Sequence, residues 1–210
     1  MHTSNDPGTH VWAALPDPVE IPEAARSELL EIARVAVGVA SRATPSGALD
    51  SAMHRSPPID LRASAFVTLT EGGELRGCMG ILDPDRPVID SVAEAAACAA
   101  RTDPRFPPVS PDELARLEVD VSVMGPLVQI RDPLSFRLGT DGIVVQLRGR
   151  RGLLLPEVAE PGGLDRMGML DIASRKAGLP ARAWQDPEAR VYAFRTDRFG
   201  GPALAEAPRR

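Results

Sequence analysis

The sequence predicts an α+β fold built mainly on antiparallel sheets with helices packed on them. Three observations carry that prediction. Residues 63–82 hold two strand-like runs joined by Glu71-Gly72-Gly73-Glu74, and a Gly-Gly pair between such runs marks a hairpin because both glycines accept φ > 0. Residues 139–155 repeat the pattern, with strands at 143–147 and 153–155 around Arg148-Gly149-Arg150-Arg151-Gly152. Around both lie segments whose apolar residues recur at helical spacing. Strands joined by hairpins rather than by long crossovers pair antiparallel.

Taken in order, residues 1–18 mix Pro, Gly, Asp and Asn without periodicity and read as a flexible tail. Pro22 suits a first helical turn, and Leu29, Ala33, Ala36, Val37 and Ala40 form one apolar stripe, so a helix is expected over 22–41. Thr44-Pro45-Ser46-Gly47 ends it, and 45–60, with His54 and Pro57-Pro58, reads as an irregular loop. His54 reads as a solvent-exposed loop residue, because a metal site needs several ligands and none stands nearby in sequence. The hairpin follows. Asp83-Pro84-Asp85-Arg86-Pro87 is a turn, and Pro87 opens a helix to Arg101 whose Val92, Ala95, Ala96, Ala99 and Ala100 suit close packing on a sheet. Cys98 in that helix reads as a small buried residue.

Thr102-Asp103-Pro104-Arg105-Phe106-Pro107-Pro108 cannot be helical, since its prolines remove donors and bias their predecessors to extended geometry. Ser110-Pro111-Asp112-Glu113 is a capping box that opens a short helix. From Glu118 to Ile130 the chain alternates, with Val119, Val121 and Val123 on one face and Asp120, Ser122 and Met124 on the other, whose Asp-X-Ser pair reads either as catalytic or as a solvent face; Pro126 marks a strand end or an edge. A helix from Leu164 turns Met167, Leu170, Ile172 and Ala173 inward and ends at Gly178, with Lys176 in its last turn. Trp184 anchors a short helix, Val191–Phe194 is the last strand, and the final dozen residues read as disordered. The expected division is a flexible tail over 1–18, one domain over 19–199 and a flexible tail over 200–210.

Composition narrows the function. A net charge of −5 over 210 residues makes no case for nucleic acid, which wants a basic face. No apolar run approaches the length of a membrane span, and the N-terminus lacks the basic and apolar regions of a signal peptide. Two cysteines, Cys78 and Cys98, make no disulfide framework. The expectation is a reduced, cytoplasmic protein.

The candidate site lies on the second hairpin strand, Leu75-Arg76-Gly77-Cys78-Met79-Gly80. Strict alternation puts Leu75, Gly77, Met79 and Ile81 on one face and Arg76, Cys78 and Gly80 on the other. An electropositive neighbour favours the thiolate, so Cys78 is a candidate nucleophile, redox site or soft ligand. Arg76 could clamp a carboxylate or phosphate, and Gly77 and Gly80 would let a ligand or partner approach the backbone. Arg105, stiffened by its flanking prolines, is a second candidate anion contact. Lys176 is the only lysine of the chain; it complements a helix end or serves as a further ligand contact. The Gly149-Arg150-Arg151-Gly152 turn could hold an anion with its amides but lacks the strand-to-helix setting of a phosphate loop.

Leu-Arg-Gly-Cys-Met-Gly resembles the Leu-Arg-Gly-Cys-Ile-Gly signature of the AMME chromosomal region 1 protein family, whose bacterial members are also called AmmeMemoRadiSam system protein A. Asp103–Pro108, Asp120-Val121-Ser122-Val123, and Leu154–Ala159 with Lys176-Ala177-Gly178-Leu179 resemble it too, in the same order, over about Leu29 to Phe199. Met79 departs from the usual Ile, a swap of nearly equal volume on the apolar face. The resemblance implies an α+β fold with a larger and a smaller, tightly associated lobe, and places Arg105 near Cys78. It also implies a pathway shared with Memo-like and radical SAM proteins, since bacterial and archaeal members tend to be encoded with or fused to them.

No Ser-His-Asp order, metal cluster or nucleotide-binding glycine loop names a reaction, and no cofactor or metal is expected. Two readings follow. In one, the chain is an enzyme or enzyme subunit in which Arg76 and Arg105 position an anionic small molecule for the Cys78 thiolate. In the other, it is a non-catalytic module that docks the partner proteins through the same face, with the arginines as anchors.

Overall fold

The computed structural model describes residues 14–18, 20–56, 59–159 and 163–204. Most of the expected N-terminal tail, Pro57-Pro58 and residues 205–210 lie outside the described residues. The chain divides into two compact units, one of residues 19–125 with 197–210, the other of residues 1–18 with 126–196.

In the first unit, α1 (Glu23–Ala40) and α3 (Val88–Arg101) pack against one face of a four-stranded sheet. Its strands are β1 (Ala65–Glu71), β2 (Glu74–Ile81), β3 (Leu117–Met124) and β8 (Thr196–Pro202), in the order β2-β1-β3-β8, with β1 antiparallel to both β2 and β3. Ala65, Val67 and Leu69 of β1 and Val119, Val121 and Val123 of β3 point inward to meet Leu29, Ala33 and Val37 of α1 and Val92, Ala96 and Ala99 of α3. The alanines let α3 lie close enough that Gly77 of β2 has the Ala99 carbonyl where a Cβ would be, 2.4 Å away. Gly72 and Gly73 take positive φ in the hairpin turn, as their pairing in sequence requires.

The second unit has an antiparallel sheet of order β4-β7-β5-β6, formed by β4 (Val128–Ile130), β5 (Gly142–Leu147), β6 (Arg150–Leu154) and β7 (Arg190–Phe194). Helix α4 (Arg166–Lys176) covers one face, and Leu15, Phe136, Ile143, Leu170, Trp184 and Val191 are among the residues that fill the core between them. No helix among the described residues is long and apolar enough to cross a membrane.

Several expectations need correction. Gly47–Arg55 is a helix, α2, not an irregular loop, and His54 sits in its last turn. The run from Glu118 to Ile130 is two strands in different sheets, broken around Pro126. Ser122 and Met124 are buried, so the second face of β3 is not a solvent face. Met167 is exposed on α4, and Met169 takes the inward place. Strand β8, Thr196–Pro202, runs on into the stretch read as a disordered end, and Ala203 after it joins the core. In the N-terminal stretch read as a tail, Leu15 is likewise buried in a core.

Candidate functional site

The register of the hairpin decides where the signature residues stand. Gly77 pairs with Leu69 and Leu75 with Thr70, so Arg76 is an extra residue with no partner on β1. Such a bulge bends its strand and re-aims the side chain. The strict alternation expected through Arg76 is therefore broken, while it holds from Gly77 to Ile81. Cys78 lies opposite Thr68, whose hydroxyl donates to Sγ at 3.3 Å, and Gly80 lies opposite Phe66. The Phe66 ring occupies the space a Cβ at Gly80 would take, 2.3 Å away. Both signature glycines are thus used for packing within the chain, Gly77 against α3 and Gly80 under an aromatic ring.

Strand β2 is an edge of its sheet, and the loop after α3 closes over it. The backbone N–H of Cys78 donates to Asp103 Oδ2 at 2.9 Å. Arg105 donates to the same carboxylate from Nε at 2.9 Å and Nη2 at 2.7 Å, and Nη2 also reaches the Cys78 carbonyl at 3.2 Å. Both outward backbone groups of Cys78 are therefore held by one ion pair. Asp103 is buried, and its carboxyl is lowered to about 2, first by the hydrogen bond from Arg105, against the opposing effect of burial, and then by the Cys78 N–H. Arg105 is raised above its ordinary value, chiefly by Asp103, with Cys78 also contributing.

Arg76 has its own carboxylate. Its Nε and Nη2 donate to Glu113 at 2.7 and 3.3 Å, a forked pair with only 12% and 18% of the two side chains exposed. Glu113 also accepts the backbone N–H of Ser110 at 2.7 Å, as its capping box predicts, at the start of a 3-10 helix over Pro111–Arg116. The two contacts, led by Arg76, lower Glu113 to about 2 despite burial. Phe106 lies between the arginines, its ring centroid 5.9 Å from the Arg76 guanidinium carbon and 5.4 Å from that of Arg105. Arg76 Nη1 is buried without an acceptor among the described residues.

The structure brings together Arg76, Cys78 and Arg105 as the sequence suggested, and adds Asp103, Glu113, Thr68 and Phe106. In the sequence Glu113 reads only as the acid of a capping box, and nothing local signals its second role as the partner of Arg76. Asp103 carried a signal only as an acid beside Pro104. The two arginines do not form a bare cationic clamp: two carboxylates balance them. What remains for a ligand is Arg76 Nη1 and the exposed half of the Arg105 side chain. Lys176 stands exposed in the last turn of α4, in the other unit, where a cation complements the helix end.

Comparison with known proteins agrees with this architecture. The AMMECR1 family description matches residues 30–199. A protein from Methanothermobacter thermautotrophicus is 45% identical over 66% of this chain and 75% of its own length. Protein MK0488 from Methanopyrus kandleri is 37% identical over 66% of this chain and 71% of its own. The crystal structure of the uncharacterized protein PH0010 from Pyrococcus horikoshii superposes with a TM-score of 0.71 at 31% identity, covering 84% of this chain and 92% of that one. These relatives are archaeal, whereas the sequence resemblance had pointed to bacterial members as well.

Proposed function

The chain belongs to the AMMECR1 family, and on that premise we propose that it is a thiol-dependent enzyme, or the thiol-bearing subunit of one. Cys78 is its nucleophile toward an electrophilic centre of a small anionic molecule. The observation that carries this reading is the fixing of Cys78, a partly buried residue, by the Asp103–Arg105 pair, which holds its thiol beside a guanidinium and a donating hydroxyl. The guanidinium and the hydroxyl act in favour of the thiolate, and the Asp103 carboxylate beside them acts against it. Arg76 Nη1, a buried donor in need of an acceptor, would take an oxygen of the anion. The protein would work in the cytoplasm, in a pathway with Memo-like and radical SAM proteins.

A second reading, a non-catalytic module that docks those proteins, draws on a different observation. Leu75 on β2 and Leu82 just after it are large apolar residues left 42% and 56% exposed, as a partner-binding edge would have them.

The pH dependence of alkylation at Cys78, with Cys98 as internal control, separates the two. A Cys78 midpoint well below the free-thiol value of about 8.5, with faster labelling than Cys98, supports the enzyme. A midpoint near that value, or equal slow labelling of both, overturns it and leaves the docking module.

A further inference from the structure

A second surface, independent of the thiol site, lies on the sheet of the other unit. Gly152 of β6 marks the face covered by α4, since a Cβ there would lie 1.9 Å from the Ala173 carbonyl. Neighbouring side chains on a strand point to opposite faces, so Arg151 belongs to the face turned away from α4. Arg151 pairs with Gln146 of β5, and Gln146 pairs with Arg190 of β7. The three form one row across three strands. In the next row on the same face, Tyr192 stands beside Val144 of β5 and Gln129 of β4.

No carboxylate occupies these positions. Arg151 and Arg190 are exposed, Arg151 Nε donates to Gln146 at 2.8 Å, and neither arginine joins an ion pair among the described residues. Acids are not scarce nearby: Arg148, at the β5–β6 turn, pairs with Asp186 and Glu188 at 3.6 and 3.2 Å. At the usual strand spacing the two unpaired positions lie about 10 Å apart. Cationic charge left unbalanced in a fixed row, with Tyr192 and two amides around it, has the composition of a binding surface rather than of a merely solvated one.

We propose that the row Arg151–Gln146–Arg190 docks an acidic segment of a partner protein. Guanidinium groups bind carboxylates with two parallel hydrogen bonds, and the row spaces two such contacts with an amide between them. The net charge of −5 favours a short acidic segment over a long polyanion. The chain as a whole repels the latter, while the row acts locally within a Debye length of about 8–10 Å.

The test uses the full chain and a short fluorescein-labelled polyglutamate peptide, read by anisotropy at several salt concentrations. The expected result is binding that weakens with salt, falls about tenfold or more in Arg151→Glu/Arg190→Glu, and tightens in Gln146→Lys. Absence of binding at low salt, or equal binding by the charge-reversed chain, overturns the proposal. So does tighter binding of a single-stranded oligonucleotide of matched charge, which would assign the row to nucleic acid. The alkylation profile of Cys78 stays unchanged in these variants, so failure here is distinct from failure of the thiol reading.

Discussion

The Asp103 carboxylate accepts the backbone N–H of Cys78 at 2.9 Å, from a loop 25 residues further along the chain. That bond closes an edge strand that would otherwise offer its backbone to another chain. It also makes the position of the thiol depend on a buried acid and on the arginine that neutralises it.

Removing Asp103 therefore destabilises the chain through two orphaned groups. Asp103→Ala leaves the Cys78 N–H and the inner side of Arg105 without an acceptor, and is expected to lower stability by about 2–4 kcal/mol in urea unfolding. Asp103→Asn keeps an acceptor for the N–H and should lose less. Equal losses would mean that the amide contact contributes nothing.

The two acids also predict an acid-labile fold. Asp103 and Glu113 are lowered to about 2 from ordinary values of 3.8 and 4.5. The unfolded chain takes up these protons first as pH falls. The stabilisation, up to about 2 kcal/mol from Asp103 and about 3 kcal/mol from Glu113, is thus complete above the ordinary values and disappears as pH drops toward 2. Urea midpoints of the wild type should decline through that window, and those of Asp103→Asn/Glu113→Gln should decline less.

The signature glycines should respond differently to the same change. Gly77→Ala meets the backbone carbonyl of Ala99, which cannot step aside, and should cost about 1–3 kcal/mol. Gly80→Ala meets the side chain of Phe66, so Phe66→Leu in the same chain should restore much of its loss. Thermal melts of the two single variants and the double variant decide this. Failure of Phe66→Leu to rescue Gly80→Ala would place a different constraint at 80.

Thr68 also contacts the thiol directly, at 3.3 Å. If its hydroxyl supports the thiolate, Thr68→Val raises the alkylation midpoint of Cys78 and leaves Cys98 unmoved. An unchanged midpoint would reduce the contact to packing.

Much of the architecture was legible because local rules suffice for it. The Gly72-Gly73 turn, the alanine face of α3 and the valines of β3 depend on residues close in sequence, and each forms what its pattern predicts. Helix α2 was hidden because Thr44-Pro45-Ser46-Gly47 reads as a loop and its apolar face is short; Ala52 is its one fully buried residue. Strand β8 was hidden by Gly200 and Gly201, which look like linker residues. In the sheet Gly200 is required, because a Cβ there would lie 2.3 Å from a carboxylate oxygen of Asp120 on β3.

The sequence by itself determined the class of fold, the family and the strand on which a thiol and an arginine meet. Only the tertiary structure decided what the arginines do. Their carboxylates come from a proline-rich loop and a capping box beyond α3, and charge, burial and the bulge at Arg76 fix each pair. Local pattern reports which side chains a strand presents. It does not report which distant group neutralises them, because that depends on how the chain folds back over its own sheet edge.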